Sequence, residues 1–430
     1  MALDKKQYET ALRGPIVKWI DKIRSVDILV GIPTLNNEDT IGHVVSQVGK
    51  GLKKYYRNLK TAIFVADGGS LDDTRENIDK QKIPRGIKKQ VSIYRGMPGK
   101  GTGFRSVFEC ATRLNSKAIL VFDADLRSIT PEWVKCLAEP ILSGRAEFCT
   151  PYYRRHPFDG TITNLIVYPL TVALFGRDIR QPIGGDFSFS LSLAEYWSSQ
   201  PVWLTDVAKF GIDIWMTLSA LKRNIRIIQV DLGSKIHSPK DPAADLGLMF
   251  FQVISTLFYI MGDYAEKWRK DYHYSQVEIV CQNAKPRELE EVHVSFKKLG
   301  KEFEEGFNHF KPMYKNVLEP KTFNELSKVV AHLRKKGKFI LDADLWSKII
   351  YDFFFIFYLW DRNRRRLVDI ISPLYFGRTG TYFSQVKDKS WEEAEEIIKK
   401  QADTFRENRN YLIKKFKKPP SYNKEQLLSP

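Results

Sequence analysis

Over the first 240 residues, short β-branched runs alternate with helical patterns. Asp27-Ile-Leu-Val-Gly-Ile32 predicts a strand, a loop follows from Pro33 to Asp39, and Val44, Val45 and Val48 mark the apolar face of a helix. Thr61-Ala-Ile-Phe-Val-Ala66 predicts a second strand, ending in Asp67-Gly68-Gly69-Ser70. Val91 to Tyr94 predicts a third, and Ala118 to Phe122 a fourth, ending in Asp123-Ala124-Asp125. Strands and helices alternating at this length imply parallel pairing through crossovers, hence an α/β fold. From about Gly160 the apolar segments lengthen, and a further strand is expected at Ile225 to Leu232. After roughly Gly262 the pattern turns helical and heavily charged, with Ser390 the N-cap of a helix that has acidic residues in its first turn. The layout expected is an α/β domain over 1–262 and a mainly helical domain over 263–430, with a frayed tail after Lys417.

Composition narrows the class. The chain has 430 residues, 43% of them hydrophobic, which is ample for a core. No uninterrupted apolar stretch of about 18 residues occurs, and Leu246 to Met261 and Ile349 to Trp360 read as buried helices. The opening residues carry Asp4, Lys5 and Lys6 and no apolar signal core, so a cytoplasmic protein without integral membrane contact is expected. Cys110, Cys136, Cys149 and Cys281 show neither zinc nor disulfide spacing, and buried reduced thiols are the expectation. A formal charge of +17 fits nucleic acid, an anionic membrane surface or small anionic substrates.

In open α/β sheets, ligands bind beyond the carboxyl ends of the strands, where three of these strands run into loops rich in Asp, Gly or Lys. In Asp123-Ala124-Asp125 the carboxylates are two apart and face one side of a strand, a pattern suited to Mg²⁺ or Mn²⁺. An aspartate at a strand end can equally cap the next turn. Pro98-Gly-Lys100-Gly-Thr-Gly103 lies between a strand and a helix, where glycines let backbone N–H groups approach a phosphate and Lys100 adds a charge. It is not a P-loop, since Gly101 stands where a hydroxyl residue must follow the lysine. Tyr152-Tyr-Arg-Arg-His156 sets cations beside aromatics, Phe210-Gly-Ile-Asp213 puts a carboxylate at the head of a helix, and Gly233-Ser-Lys-Ile-His237 puts a histidine past a strand.

In this order, IPTLNNE (Ile32 to Glu38), ADGGS, PGKGTG, DADL, YYRRH, GTIT (Gly160 to Thr163), QPIGG, GID and GSKIH resemble the nucleotide-sugar transferases of the GT-A fold. Within it, the resemblance is to the mannosylglycerate and glucosylglycerate synthases and the glucosyl-3-phosphoglycerate synthases, over roughly residues 26–262. The resemblance implies a Rossmann-like, mostly parallel sheet flanked by helices, and a role for each matched position. Pro33, Glu38 and Asp67 would meet the donor nucleotide, and Lys100 the sugar-nucleotide phosphates. Asp125 and His237 would bind Mg²⁺ or Mn²⁺ with Asp123 beside them. Ile183, Gly184 and Asp213 would line the sugar and acceptor site, and Arg155, Thr161 and Thr163 would hold the acceptor. It further implies retention of anomeric configuration, with Asp213 orienting the sugar.

Phosphoglycerate-using relatives carry an arginine where Thr161 follows Gly160, and Ser238-Pro239-Lys240 follows His237 where mannosylglycerate enzymes carry a tyrosine. The expected partners are therefore a GDP-, UDP- or ADP-hexose and unphosphorylated D-glycerate, with glucose favoured over mannose and a homo-oligomer formed through the helical domain. The alternatives are a glucosyl-3-phosphoglycerate synthase, or an inverting polyprenyl-phosphate transferase at a membrane, permitted by the charge and by the aromatic stripe Phe353 to Phe357. Nucleic acid is not expected, because no binding motif accompanies the basic run Arg362 to Arg366.

Overall fold

The computed structural model describes residues 9–237, 247–281, 287–290, 292, 294–360 and 364–417. Ser238-Pro239-Lys240, Arg362 and the tail after Lys417 lie outside them. The chain forms two compact units that share it in alternation, where a single cut at 262 was expected. The first holds the described residues of 1–154, 180–238 and 277–290, and the second those of 155–179, 239–276 and 291–430.

The strands in chain order are β1 (Ile28–Thr34), β2 (Thr61–Asp67), β3 (Lys88–Ile93), β4 (Ala118–Val121), β5 (Phe148–Arg154), β6 (Arg177–Asp178), β7 (Phe187–Ser190), β8 (Ile227–Ser234), β9 (Ser275–Gln276) and β10 (Ile279–Val280). Eight of them form the sheet of the first unit, ordered β10-β8-β5-β7-β4-β1-β2-β3. The pairs β1–β2, β1–β4, β2–β3, β5–β8 and β8–β10 are parallel, as the alternating pattern implies. β7 runs antiparallel between β4 and β5, which the pattern did not indicate. Helices cover both faces, which is why β1, β2 and β4 are near-continuous apolar runs. Val44, Val45 and Val48 of the helix Ile41–Tyr55 pack with Val134 and Leu137 of Pro131–Leu142 over one face. Phe108 of Lys100–Arg113 meets Phe189, Trp197 and Trp203 on the other.

The expectation of free thiols needs correcting. Cys136, on the helix Pro131–Leu142, is joined in a disulfide to Cys281, just past the edge strand β10. The two are 145 positions apart with Cα atoms 6.0 Å apart, a proximity that sheet topology creates and spacing cannot show. Cys110 and Cys149 are free and buried.

The second unit is helical, with β6 and β9 as a two-stranded parallel ribbon. Of the segment Leu246 to Met261, Gly247 to Met261 falls in the helix Gly247–Asp263 and Leu246 lies outside the described residues, while the aromatic stripe falls in Ala343–Leu359. Phe353, Phe354, Phe355, Ile356 and Phe357 are at most 2% exposed, so the stripe is core and offers nothing to a lipid surface. No described helix is long and apolar enough to cross a membrane. Ser390 caps Trp391–Glu407 in a capping box with Glu393, as its sequence context predicts.

Candidate active site

The sequence-predicted groups of the first unit stand at the carboxyl ends of β1, β2, β3, β4 and β8, in the loop before β7 and at the head of the helix Ile212–Lys222. Pro33 is half-buried near the end of β1, and Glu38 is exposed in the loop after it. The Glu38 carboxylate accepts from the Asp73 amide at 2.9 Å, and its own amide donates to Asp72, so it ties this loop to the turn after β2. Asp67 is fully buried and turned onto its own loop, accepting from the Gly69 and Ser70 amides and from the Ser70 hydroxyl. Its carboxylate thereby shapes the loop, with Arg75 Nε 3.8 Å from Oδ2.

The glycines around Lys100 serve close packing. A Cβ on Gly99 would lie 2.5 Å from the Ala208 carbonyl, and one on Gly101 would lie 1.9 Å from that of Val207. The Gly101 amide donates to the Lys209 carbonyl at 3.1 Å, so this N–H is taken. Tyr94 braces the same turn, its hydroxyl bonded to both the amide and the carbonyl of Gly99. The loop thus pins the first residue of the helix Lys100–Arg113 and aims the Lys100 side chain across the strand ends.

There Lys100 enters a line of alternating charges. Its ammonium lies 3.0 Å from Asp213 Oδ2 and 2.8 Å from Asp123 Oδ1. Asp123 Oδ2 lies 2.7 Å from Lys235 Nζ, which also lies 3.0 Å from Asp186 Oδ2. The Tyr153 hydroxyl donates to Asp186, and the Asp123 amide donates to Asp186 Oδ1 at 2.8 Å. Burial opposes charge on Asp123, but Lys100 and Lys235 outweigh it and hold the carboxyl well below the usual range. Burial likewise opposes charge on Lys100, and Asp123 and Asp213 raise it regardless. At the two ends of the line burial wins, and the carboxyls of Asp186 and Asp213 are both pushed up. Asp213 stands in the first turn of Ile212–Lys222, at the helix head the sequence predicts. Its Oδ1 is buried without a hydrogen-bond partner, which makes it an acceptor with spare capacity.

Gly184 packs on Pro151 of β5, where a Cβ would lie 2.2 Å from Cγ, and Ile183 beside it is half-buried. Gly185, at φ +89°, leaves room for Asp123, whose Oδ2 would lie 2.1 Å from a Cβ there. Asp125 and His237 occupy neighbouring segments. The Arg127 amide donates to the Ile236 carbonyl at 2.9 Å, the Ile236 amide donates to Ser128 Oγ at 2.9 Å, and Arg127 Nη2 donates to the His237 carbonyl at 2.8 Å. Both side chains are half-buried. A carboxylate and an imidazole on adjoining segments fit a divalent ion that completes its shell with phosphate and water. Among the described residues no group of three or more metal-ligating side chains is assembled. Asp123, two residues before Asp125, has one oxygen on each of the ammonium groups of Lys100 and Lys235.

Arg155, Thr161 and Thr163 belong to the second unit. Arg155 lies 3.2 Å from Asp159. Thr161, 2% exposed, shares a hydrogen bond with Tyr375, and Thr163 is 5% exposed at the start of a π-helical turn, Thr163–Val167. Their local packing is thereby defined, with Thr161 already serving the helix Ser372–Val386.

Asp186, Lys235, Tyr153 and Tyr94 were not singled out from sequence as site residues. For Asp186 a signal existed: it is a charge set in an apolar context, QPIGGDFSF, which requires a partner. Lys235, among polar residues in GSKIHS, carries no such signal.

Residues 29–184 match the model of the family described as Glycosyl transferase family 2. Among curated proteins none matches the chain. Solved structures of glucosyl-3-phosphoglycerate synthase from Mycobacterium tuberculosis are similar to it. The complex with Mn²⁺, UDP and phosphoglyceric acid is 26% identical, with 59% of this chain and 85% of that one covered at a TM-score of 0.44. The complex with Mn²⁺, UDP-glucose and phosphoglyceric acid is 26% identical, with 59% and 86% covered, at 0.44. The complex with Mg²⁺ and UDP is 25% identical, with 59% and 85% covered, at 0.45.

Proposed function

We propose, from the premise that this chain is a nucleotide-sugar glycosyltransferase whose first unit has the GT-A fold, that it moves a hexose, with glucose favoured, from a nucleoside diphosphate to D-glycerate with retention of configuration. The observation that carries the donor side is the Asp123–Lys100–Asp213 line, with Asp213 Oδ1 unpartnered. Departure of a nucleoside diphosphate develops negative charge, and Lys100 is the cation set to meet it. Asp213, with one oxygen on Lys100 and one unpartnered, suits accepting a sugar hydroxyl and so orienting the ring. Asp125 and His237 would hold a Mg²⁺ or Mn²⁺ ion, which when bound supplies further stabilisation of the diphosphate. Arg155 and Thr163 are assigned to the acceptor carboxylate from the sequence pattern, since Arg suits bidentate carboxylate binding. Thr161, where phosphoglycerate enzymes carry arginine, favours an unphosphorylated acceptor, and the absence of that cation is the point, because its hydroxyl is already engaged.

A product screen tests this reading. The protein is given Mg²⁺ with UDP-, GDP- or ADP-glucose and GDP-mannose, and D-glycerate against 3-phosphoglycerate. Transfer to D-glycerate is expected, and preference for the phosphorylated acceptor overturns the acceptor assignment. Asp125→Ala or His237→Ala should abolish metal-dependent turnover while the circular-dichroism spectrum is unchanged, and retained turnover removes them from the site.

A further inference from the structure

Lys235 follows β8 with its side chain 3% exposed, too enclosed to be a substrate ligand. Its ammonium meets three acceptors: Asp123 Oδ2 at 2.7 Å, the Gly184 carbonyl at 2.8 Å and Asp186 Oδ2 at 3.0 Å. The Tyr153 ring lies 5.1 Å from the same nitrogen, and the Tyr153 hydroxyl donates to Asp186 Oδ2, the same oxygen that Lys235 meets. Lys235 therefore joins the end of β8, the start of β7, the loop before it and the end of β4 at one point. Lys100, six times as exposed at 18%, takes the other oxygen of Asp123.

This geometry sets a condition on donor use. A cation that turns from Asp123 toward a diphosphate leaves behind a carboxylate whose side chain is only 20% exposed, and a carboxylate largely withdrawn from water is disfavoured without a counter-charge. Lys235 removes that obstacle, because Asp123 keeps one ammonium when it gives up the other. We propose that Lys235, itself fixed by Asp186 and Tyr153, is a positioning residue: it keeps Asp123 seated and neutralised while Lys100 engages the diphosphate of the nucleotide sugar. The proposal rests on the donor reading above and deepens it.

Three variants separate positioning from a merely structural role. In Lys235→Met, Lys100 becomes the sole cation of Asp123 and is retained there. Donor KM should rise about tenfold with a fall in kcat, while acceptor KM moves little. In Lys235→Met/Asp186→Asn the like-charged neighbour is removed as well, so stability recovers toward the parent, yet donor KM stays raised. Lys235→Arg keeps the charge and should recover most of the donor KM. A double variant that recovers donor KM together with stability overturns the proposal, as does a Lys235→Met enzyme with the parent's donor KM. Should the single variant not fold, the double variant still decides. Crystal structures of the parent and of the double variant read the same point without turnover. Asp123 displaced from the Gly184–Gly185 loop is expected, and Asp123 in the parent's place overturns the proposal. A parent that turns over none of UDP-, GDP- or ADP-glucose defeats the donor reading instead, and the two crystal structures still decide whether Lys235 seats Asp123.

Discussion

Gly185 shows how one missing side chain sets the line of charges. Two constraints coincide there: a φ of +89°, and a Cβ position 2.1 Å from Asp123 Oδ2. Gly144 carries only the first, with φ +70° and nothing within 4 Å of its Cβ position. Gly144→Ala should therefore cost about 1 kcal/mol of stability and leave turnover alone. Gly185→Ala should cost more and lower kcat about a hundredfold, because Asp123 must leave its place between the lysines. Thermal melts and steady-state rates on both variants check the pair, and equal rates would mean Asp123 tolerates displacement. At this scale position in the sequence drew attention to Lys100, Asp123 and Asp213 at element ends, and the structure brings these three together. Asp67 stands where a nucleotide contact is expected, and its carboxylate also accepts from Ser70 three residues on, a local preference of Asp in turns.

Among elements, what sequence periodicity missed is what long-range pairing decides. β5 contains Pro151, which argues against a central strand, but its ladder to β7 uses only Phe148 and Cys149, so no bond is lost at the proline. β7 is four residues long and antiparallel, too short to outweigh the parallel signal around it. The disulfide between the helix Pro131–Leu142 and the end of β10 is of the same kind, made by the sheet order and silent in the spacing. It yields a direct count. Burial raises the thiol of Cys110 and pushes that of Cys149 up to about 12, so neither is a thiolate at pH 8. The native, unreduced protein should show no thiol reactive to an aromatic disulfide reagent at pH 8. Two should appear on denaturation and four after reduction. Four reactive thiols on denaturation alone would mean that Cys136 and Cys281 are not joined. Local signals did better where helices start. The N-cap at Ser390 was legible because the serine and the acidic residues that mark it lie within one turn, and Ser390→Ala should cost about 1 kcal/mol, read as a lowered melting temperature.

For the whole molecule, the alternation of strands and helices was enough to read a mostly parallel α/β sheet, while the division into two units was not, because the chain passes between them more than once. The charge of +17 is the other whole-molecule property, and it permits attraction to an anionic surface without specifying one. Such attraction acts over a Debye length of roughly 10 Å at 0.1 M salt and shrinks as salt is added. Membrane insertion is different, since it needs exposed apolar surface and is insensitive to salt. The aromatic stripe that made insertion conceivable is at most 2% exposed from Phe353 to Phe357, closed over by partners such as Phe258 and Phe416 in the same unit. Sedimentation with vesicles containing anionic lipid should therefore pull the protein down at about 0.02 M salt and release it by about 0.5 M, as screening removes the electrostatic attraction. Vesicles of neutral lipid should not bind it at either concentration. Pelleting that persists at high salt, or on neutral lipid, would require an apolar contact that the buried stripe cannot supply, and would favour a lipid-linked acceptor over D-glycerate.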